Sequence, residues 1–258
     1  MSVDLLTTYP KPVLDQKITD AARAEIGVHN GDPDAHNLAP LRADVAALKA
    51  GGTSAGLIAA AGPAVIKASD TFNRADGIAG TAEVGGYWYN SSSGGVKVIS
   101  NQAGISSGQQ TMWLSASSGS LAALNLVKRR GVVSVDVYGT STAGAALLVR
   151  VNAASPGNNY VFIERNQNGN GSLAVGKVVN SVTTYFGQPT NLGYTPAGTM
   201  DRITAVLDGA TIYAYLNGVL MVTASYPVDP LVNGGVGLRA TNAGSALDNF
   251  VAYESAVF

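Results

Sequence analysis

The chain has 258 residues, 31 of them Gly and only 13% charged, a composition that favours tight turns around an apolar, little-charged body over a helical enzyme. Its 16 basic and 17 acidic residues give a formal net charge of −1, which leaves no electrostatic footprint for nucleic acid. Cys is absent, so disulfides and thiolate metal sites are excluded.

The N-terminus, MSVDLLTTYPKP, has no charged region leading into an apolar one, so no secretory signal is expected. After Pro12, residues Val13, Leu14, Ile18, Ala21, Ala22, Glu25 and Ile26 follow a three-four spacing, and Gly27 stands where a helix would stop. A second helical pattern places Leu38, Leu41, Val45 and Leu48 at spacings of three, four and three. Asn37 can cap it, Pro40 falls in its first turn, and Gly51-Gly52 ends it. Two heptads make a marginal isolated helix. The seam is therefore expected to bury itself against copies of the chain or a neighbouring protein, or else against its own domain. Between the two patterns lies HNGDPDAH, His29 to His36, which holds both histidines. Two His and two Asp so close suggest a metal site, but Asn30-Gly31 and Asp32-Pro33 are strong turn dipeptides, and a turn is the better reading.

Residues 1–50 thus read as a helical attachment and oligomerisation segment. Residues 51–67, GGTSAGLIAAAGPAVIK, read as a linker that turns into the first strand. The longest apolar stretch, Ala55 to Ile66, is broken by Gly56, Gly62 and Pro63 and is too short to span a bilayer. From residue 68 to 258 the pattern is strand and turn. Strands are expected over Val132–Tyr138, Ala145–Val151, Tyr160–Arg165, Ser172–Val179, Asp201–Leu207, Thr211–Leu216, Val219–Ser225 and Leu247–Tyr253. Asp208-Gly209 and Asn217-Gly218, each flanked by alternating apolar residues, predict two consecutive hairpins. Regular strands without intervening helices argue for an all-β fold, an antiparallel two-sheet sandwich. The basic run Lys128-Arg129-Arg130 reads as a solvated turn between strands.

Two apparent catalytic motifs fail on context. Gly104-Ile105-Ser106-Ser107-Gly108 matches a nucleophile elbow, which needs a strand-turn-helix setting and a downstream His; no His follows His36. Gly169-Asn170-Gly171-Ser172-Leu173-Ala174 imitates a dinucleotide fingerprint, but it lies between two strand patterns with no helix to hold a pyrophosphate.

Two segments bracket the strand region. DTFNRADGIAGTAEVGGYWYN, starting at Asp70, has an Asp-x-Phe-Asn-Arg-Ala-x-Gly opening followed by Gly-Gly-x-Trp. GGVGLRATNAGSALDNFVAYE, from Gly234 to Glu254, has Gly-x-Gly-Leu ahead of Leu-Asp-Asn-Phe. Both resemble the first and last strands of concanavalin A-like (laminin G-like) jelly-roll domains in bacteriophage tail proteins, notably those of phages of actinobacteria. HNGDPDAH resembles the His-Asn-x-Asp-Pro-x-Ala-His linkers of phage tail fibres, which precede a short oligomerisation helix. The resemblance implies a structural component of the virion tail, made in the host cytoplasm, with no enzymatic activity and no membrane insertion. Its implied partners are other phage tail proteins and a host cell-surface polysaccharide. A homotrimer is expected, and there axial metal binding by the repeated histidines stays open.

Related sandwiches bind one Ca²⁺ near their paired terminal strands, which singles out Asp70 and Asp248 as candidate metal ligands; the plainer reading is that both carboxylates cap strand ends by accepting backbone N–H groups. The fold also houses glycan-cleaving enzymes, whose chemistry needs two acids facing a groove. Glu83, Asp136, Glu164, Asp201, Asp208, Asp229, Asp248 and Glu254 are available, without the tight Glu-x-Asp-x-Glu of the β-glucan-cutting members. Asp136 and Glu164 lie inside strands, where alternation predicts solvent-facing positions. For sugar stacking, Trp88 of Tyr87-Trp88-Tyr89 belongs to the core in the motif, with both tyrosines on the opposite face. That leaves Tyr160, Tyr185, Tyr194 and Tyr226 as loop-borne, exposed glycan-binding candidates, with packing at a sandwich edge as their alternative. A glycan-degrading hydrolase or lyase, and a bacterial lectin or carbohydrate-binding module, are the competing functions.

Overall fold

A computed structural model describes residues 64–90, 95–118, 120–138, 144–166, 170–196, 198–227, 229 and 231–255. The seam Leu38, Leu41, Val45 and Leu48, the His29–His36 turn and the rest of the expected attachment segment lie outside the described residues.

The described chain is an antiparallel sandwich of two sheets. The back sheet runs β14 (Val219–Ser225), β13 (Thr211–Leu216), β12 (Asp201–Asp208), β7 (Arg130–Tyr138), β16 (Ala246–Ser255), β5 (Gln102–Gly104), β4 (Lys97–Ile99) and β2 (Gly77–Ile78), with β1 (Ala64–Asp70) also paired to β16. The front sheet runs β11 (Val182–Gly187), β10 (Ser172–Val179), β9 (Asn159–Asn166), β8 (Gly144–Val151), β15 (Gly235–Ala240), β6 (Gln110–Ser115) and β3 (Tyr87–Asn90). Both expected hairpins form, although β12 turns into β13 through Gly209-Ala210, Asp208 being paired with Thr211 inside the strands. Asn217 and Gly218 both take positive φ (50° and 82°), as a two-residue turn that follows the strand twist requires, and β13 leads into β14. β5 runs through a loop into β6, so the Gly104–Gly108 motif sits in a strand-loop-strand setting.

Alternation fills the space between the sheets. Val133, Val135 and Val137 of β7 and Ile203 and Ala205 of β12 face Leu147 and Val149 of β8, Val161 and Ile163 of β9, and Leu173 and Val175 of β10 in one fully buried cluster. The two bracketing segments meet at one end of this core, where β1 pairs with β16 and Asp70 lies opposite Phe250. Trp88 packs between Phe72 and Phe250, with ring centroids 5.8 and 5.2 Å away. Leu247 and Phe250 are both buried although three residues apart, a spacing a regular strand cannot provide. The register of β16 slips between Asp248 and Val251, and Asn249, at φ 49°, supplies the left-handed residue of the bulge.

One boundary moves. β1 begins at Ala64, so residues 64–67, expected in the linker, form strand against Tyr253, Glu254 and Ser255. The free edge of β16 explains this: it offers backbone partners to Val65 and Ile66 once Pro63 has passed, and Lys67 Nζ lies 3.0 Å from Glu254 Oε2.

Candidate functional site

The outer faces of the two sheets differ. On the back sheet the outer face is mixed: beside a row of Tyr213, Val206, Val132 and Tyr253, Arg202 Nη1 donates to Asp136 Oδ1 at 2.9 Å and Nη2 to Ser134 Oγ at 2.8 Å. On the front sheet the outer face carries a second apolar layer, comprising Trp113, Ala146, Leu148, Val151, Tyr160, Phe162, Ala174 and Val178. Strand register draws a row across it: Tyr89 faces Trp113, then Gly237, Leu148, Phe162, Gly176 and Tyr185 follow. Gly176 is required here, because a Cβ would come within 2.7 Å of the Phe162 ring that lies over it. Tyr185 then sets its ring edge-on to Phe162, 5.7 Å away at 90°.

The neighbouring row carries charge. Arg239 faces Ala146, and Ala146 faces Glu164; the small Ala146 lets the two long side chains join above it, Arg239 Nη2 donating to Glu164 Oε2. The guanidinium carbon sits 4.5 Å above the Phe162 ring, and Arg239 Nη1 also donates to the Tyr160 hydroxyl oxygen at 3.4 Å. Only 7% of Arg239 and 8% of Glu164 is exposed. An ion pair held out of water on the outside of a sheet adds little stability by itself, since desolvation offsets its attraction.

These groups floor a cavity of about 360 Å³ whose rim is supplied by Gln109, Gly157, Ser181, Thr183, Tyr185 and Thr241. Its volume falls at the small end of the range for ligand sites, and its accessible lining is mostly polar. The rim comes from loops and turns at both ends of the sheet and from the edge strand β11, which carries Thr183 and Tyr185.

The four candidate tyrosines part company. Tyr160 and Tyr185 line this cavity together; Tyr160, however, belongs to β9 and is buried, and only Tyr185, at 58% exposed, presents a free ring. Tyr194 is an exposed loop residue whose hydroxyl lies 3.2 Å from Asn170 Oδ1, apart from the cavity lining. Tyr226 corrects the expectation of an exposed loop residue: it is 7% exposed and packs against Phe186 with Lys177 Nζ 5.4 Å from its ring centroid. Burial pushes its phenol upward from the ordinary tyrosine value. Glu164 was expected to face solvent; it is on the outer face, as alternation requires, but is covered there. Neither Arg239 nor the Glu164–Arg239 pairing was anticipated. An Arg inside the apolar strand GVGLRA was the available signal.

Asp70 and Asp248 are brought near one another but have different surroundings. Asp70 is fully buried, and its carboxylate accepts from the Phe72 N–H (2.9 Å), the Trp88 indole N–H (2.6 Å) and Arg74 Nη2 (2.5 Å). The Asp70 carboxylate thus accepts from three donors, one of them the Arg74 cation. Asp248 lies opposite Asp136 across β7 and β16. Burial, then the charges of Asp136 and Asp70, raise its carboxyl above the usual range against the opposing effects of the Asn249 N–H and Arg202. No group of three or more His, Asp or Glu suited to a metal occurs among the described residues.

No protein-family model matches the chain, and neither does any curated protein sequence. Solved structures share its architecture. The endo-β-1,3(4)-glucanase SCLam, of family GH16, superposes with a TM-score of 0.50 at 10% identity, over 74% of this chain and 91% of the glucanase. A carbohydrate-binding module, CBM66 from Bacillus subtilis, gives 0.47 at 16% identity over 72% and 96% of the two chains. Sheep galectin-11 gives 0.39 at 7% identity over 57% and 97%. At such identities the likeness is one of fold alone: the chain is an all-β, two-sheet antiparallel sandwich of the concanavalin A-like type.

Proposed function

We propose that the sandwich binds a cell-surface glycan without cleaving it, as the outward-facing part of a homotrimeric phage tail protein. The observation that carries the glycan reading is the cavity on the front sheet, where the exposed Tyr185 ring, a hydroxyl and amide rim, and the buried Arg239–Glu164 pair converge. A ring face stacks on the apolar face of a sugar while the polar groups take its hydroxyls. Against cleavage, two carboxylates roughly 5–9.5 Å apart are needed across a glycosidic bond; among the described residues lining the cavity Glu164 is the one carboxylate, and Arg239 engages it. The tail setting is supported by the resemblance of the two bracketing segments and of HNGDPDAH to phage tail sequences. Three copies would multiply weak contacts with a repetitive polysaccharide.

The test is a titration of the full chain against cell walls and soluble polysaccharides, with Tyr185→Ala and Tyr194→Ala alongside. Tyr185→Ala should weaken binding about tenfold, as loss of an aromatic anchor does, with an unchanged melting temperature, while Tyr194→Ala binds as the unaltered chain does. The reverse pattern would remove the front-sheet site. Release of reducing ends or unsaturated products from the bound polymer would replace binding by catalysis, and a monomer at micromolar concentration in light scattering would end the trimer proposal.

A further inference from the structure

We infer that the front-sheet cavity selects a neutral glycan and rejects polymers bearing carboxylates or phosphodiesters, an inference that rests on the glycan-binding reading of this site. Among the described residues of the lining, Arg239 and Glu164 are the two charged ones, and they are bonded to each other. The floor therefore has both a cation and an anion and no net charge. The other polar lining groups, among them Gln109, Thr183 and Thr241, are neutral. An anionic sugar entering this space would leave water and meet a carboxylate already satisfying the Arg239 guanidinium, so its own charge would stay uncompensated at a high desolvation cost.

Sugar hydroxyls meet no such conflict, because each both donates and accepts. A guanidinium beside a carboxylate presents donors and acceptors side by side, the complement of two neighbouring hydroxyls on one ring. The Tyr160 oxygen accepts from Arg239, which leaves its own proton free to be donated into the cavity.

The experiment measures binding of the full chain to two neutral polymers, mannan and arabinogalactan, and two acidic ones, polygalacturonate and poly(glycerol phosphate), at about 0.02 and about 0.5 M NaCl. At least one neutral polymer should bind about tenfold or more tighter than either acidic polymer, with an affinity that salt leaves unchanged. Any smaller preference, or an affinity that collapses in salt, overturns neutral selection while leaving a glycan site in place. Failure of all four to bind overturns it together with the glycan reading. Glu164→Gln, checked for folding by its melting temperature, uncovers the Arg239 charge; it should lose about tenfold on the neutral polymer and gain salt-sensitive binding to polygalacturonate. A folded Glu164→Gln with an unaltered ranking overturns the inference, and should the variant not fold, the ranking by the unaltered chain decides alone.

Discussion

Replacing Asp70 by Asn tests how the two ends of the domain are joined. The Asp70 carboxylate is fully buried and holds three donors from the segment that follows it: the Phe72 N–H, the Arg74 guanidinium and the Trp88 indole. Asn retains one oxygen, enough for the Phe72 N–H, but turns an amide NH₂ toward Trp88 and Arg74, so donors face donors. Removing one member of a buried charge pair costs about 3–5 kcal/mol, and Arg74, which is only partly covered, places the expectation toward the lower end. For a domain of this size each kcal/mol moves the melting temperature by about 2–4 °C, so Asp70→Asn should melt roughly 6–20 °C lower. The assay is thermal unfolding followed by tryptophan fluorescence, with Trp88 as a direct reporter, in the presence of Ca²⁺ and of EDTA. Neither additive should shift the unaltered chain, whereas an ion bound at a hundred times its Kd would add about 2.7 kcal/mol. A variant within about 3 °C of the unaltered protein, or a Ca²⁺-dependent rise that Asp70→Asn abolishes, would refute the reasoning and return Asp70 to a metal-binding role.

Three further outcomes follow from buried charge elsewhere. Arg150 is buried without a carboxylate partner among the described residues; its guanidinium donates to the carbonyls of Val127, Lys128, Arg129 and Gly209, and burial pushes its pKa down to about 10. Arg150→Met strips these four acceptors of their donors and should cost roughly 2–4 kcal/mol in urea unfolding; a loss below about 0.5 kcal/mol, the range of an inert surface change, would show that the clamp is idle. For Asp201, burial would raise the carboxyl, but bonds from Thr195, Arg165 and Asn217 and the Arg165 charge outweigh it and hold it below the usual carboxylate range. A depressed folded pKa gives stability that is present above the unfolded value near 4 and lost as pH falls through the folded one. The melting temperature should therefore fall on acidification below about pH 4, less steeply in Asp201→Asn, which starts lower at pH 7; parallel curves would contradict this. Asp248 has the opposite sign, because its carboxyl is raised, and ionising it as pH rises through that window removes stability. Asp248→Asn should gain roughly 0.2–1 kcal/mol at pH 7, the scale of a like-charge pair facing across two strands, and the gain should vanish below about pH 4.

How far the sequence disclosed this fold depends on what held each strand in place. β10, β13 and β14 have the expected bounds, because Asn217-Gly218 and the polar turn before Ser172 leave little freedom in register. β11, VTTYFG, escaped notice because it is an edge strand exposed over most of its length, and an exposed edge need not alternate. β2, β4 and β5 span only two or three residues each, too few for any period to show. Among the candidate residues, the exposure of Tyr185 was legible because Thr183 and Thr184 precede it, although it stands on edge strand β11 and not on a loop, whereas Tyr226 was misread because Phe186 of the other sheet packs against its ring.

The deeper omission concerns the outer face of the front sheet, and its sign was present in the strand patterns. β12 alternates between buried and half-buried positions along much of its length, as a strand does when one face is packed and the other wet. β8, GAALLVRV, is buried at every position, and so is β15. A strand apolar on both sides needs cover on both sides. In a two-sheet sandwich the opposite sheet covers only one, so continuous apolar strands in the middle of a sheet point to a second layer outside it. Here Tyr160, Phe162, Trp113 and the Arg239–Glu164 pair form that layer. Periodicity assigned Glu164 to the correct face, and it is the contrast between β8 and β12 that tells where the second apolar layer lies.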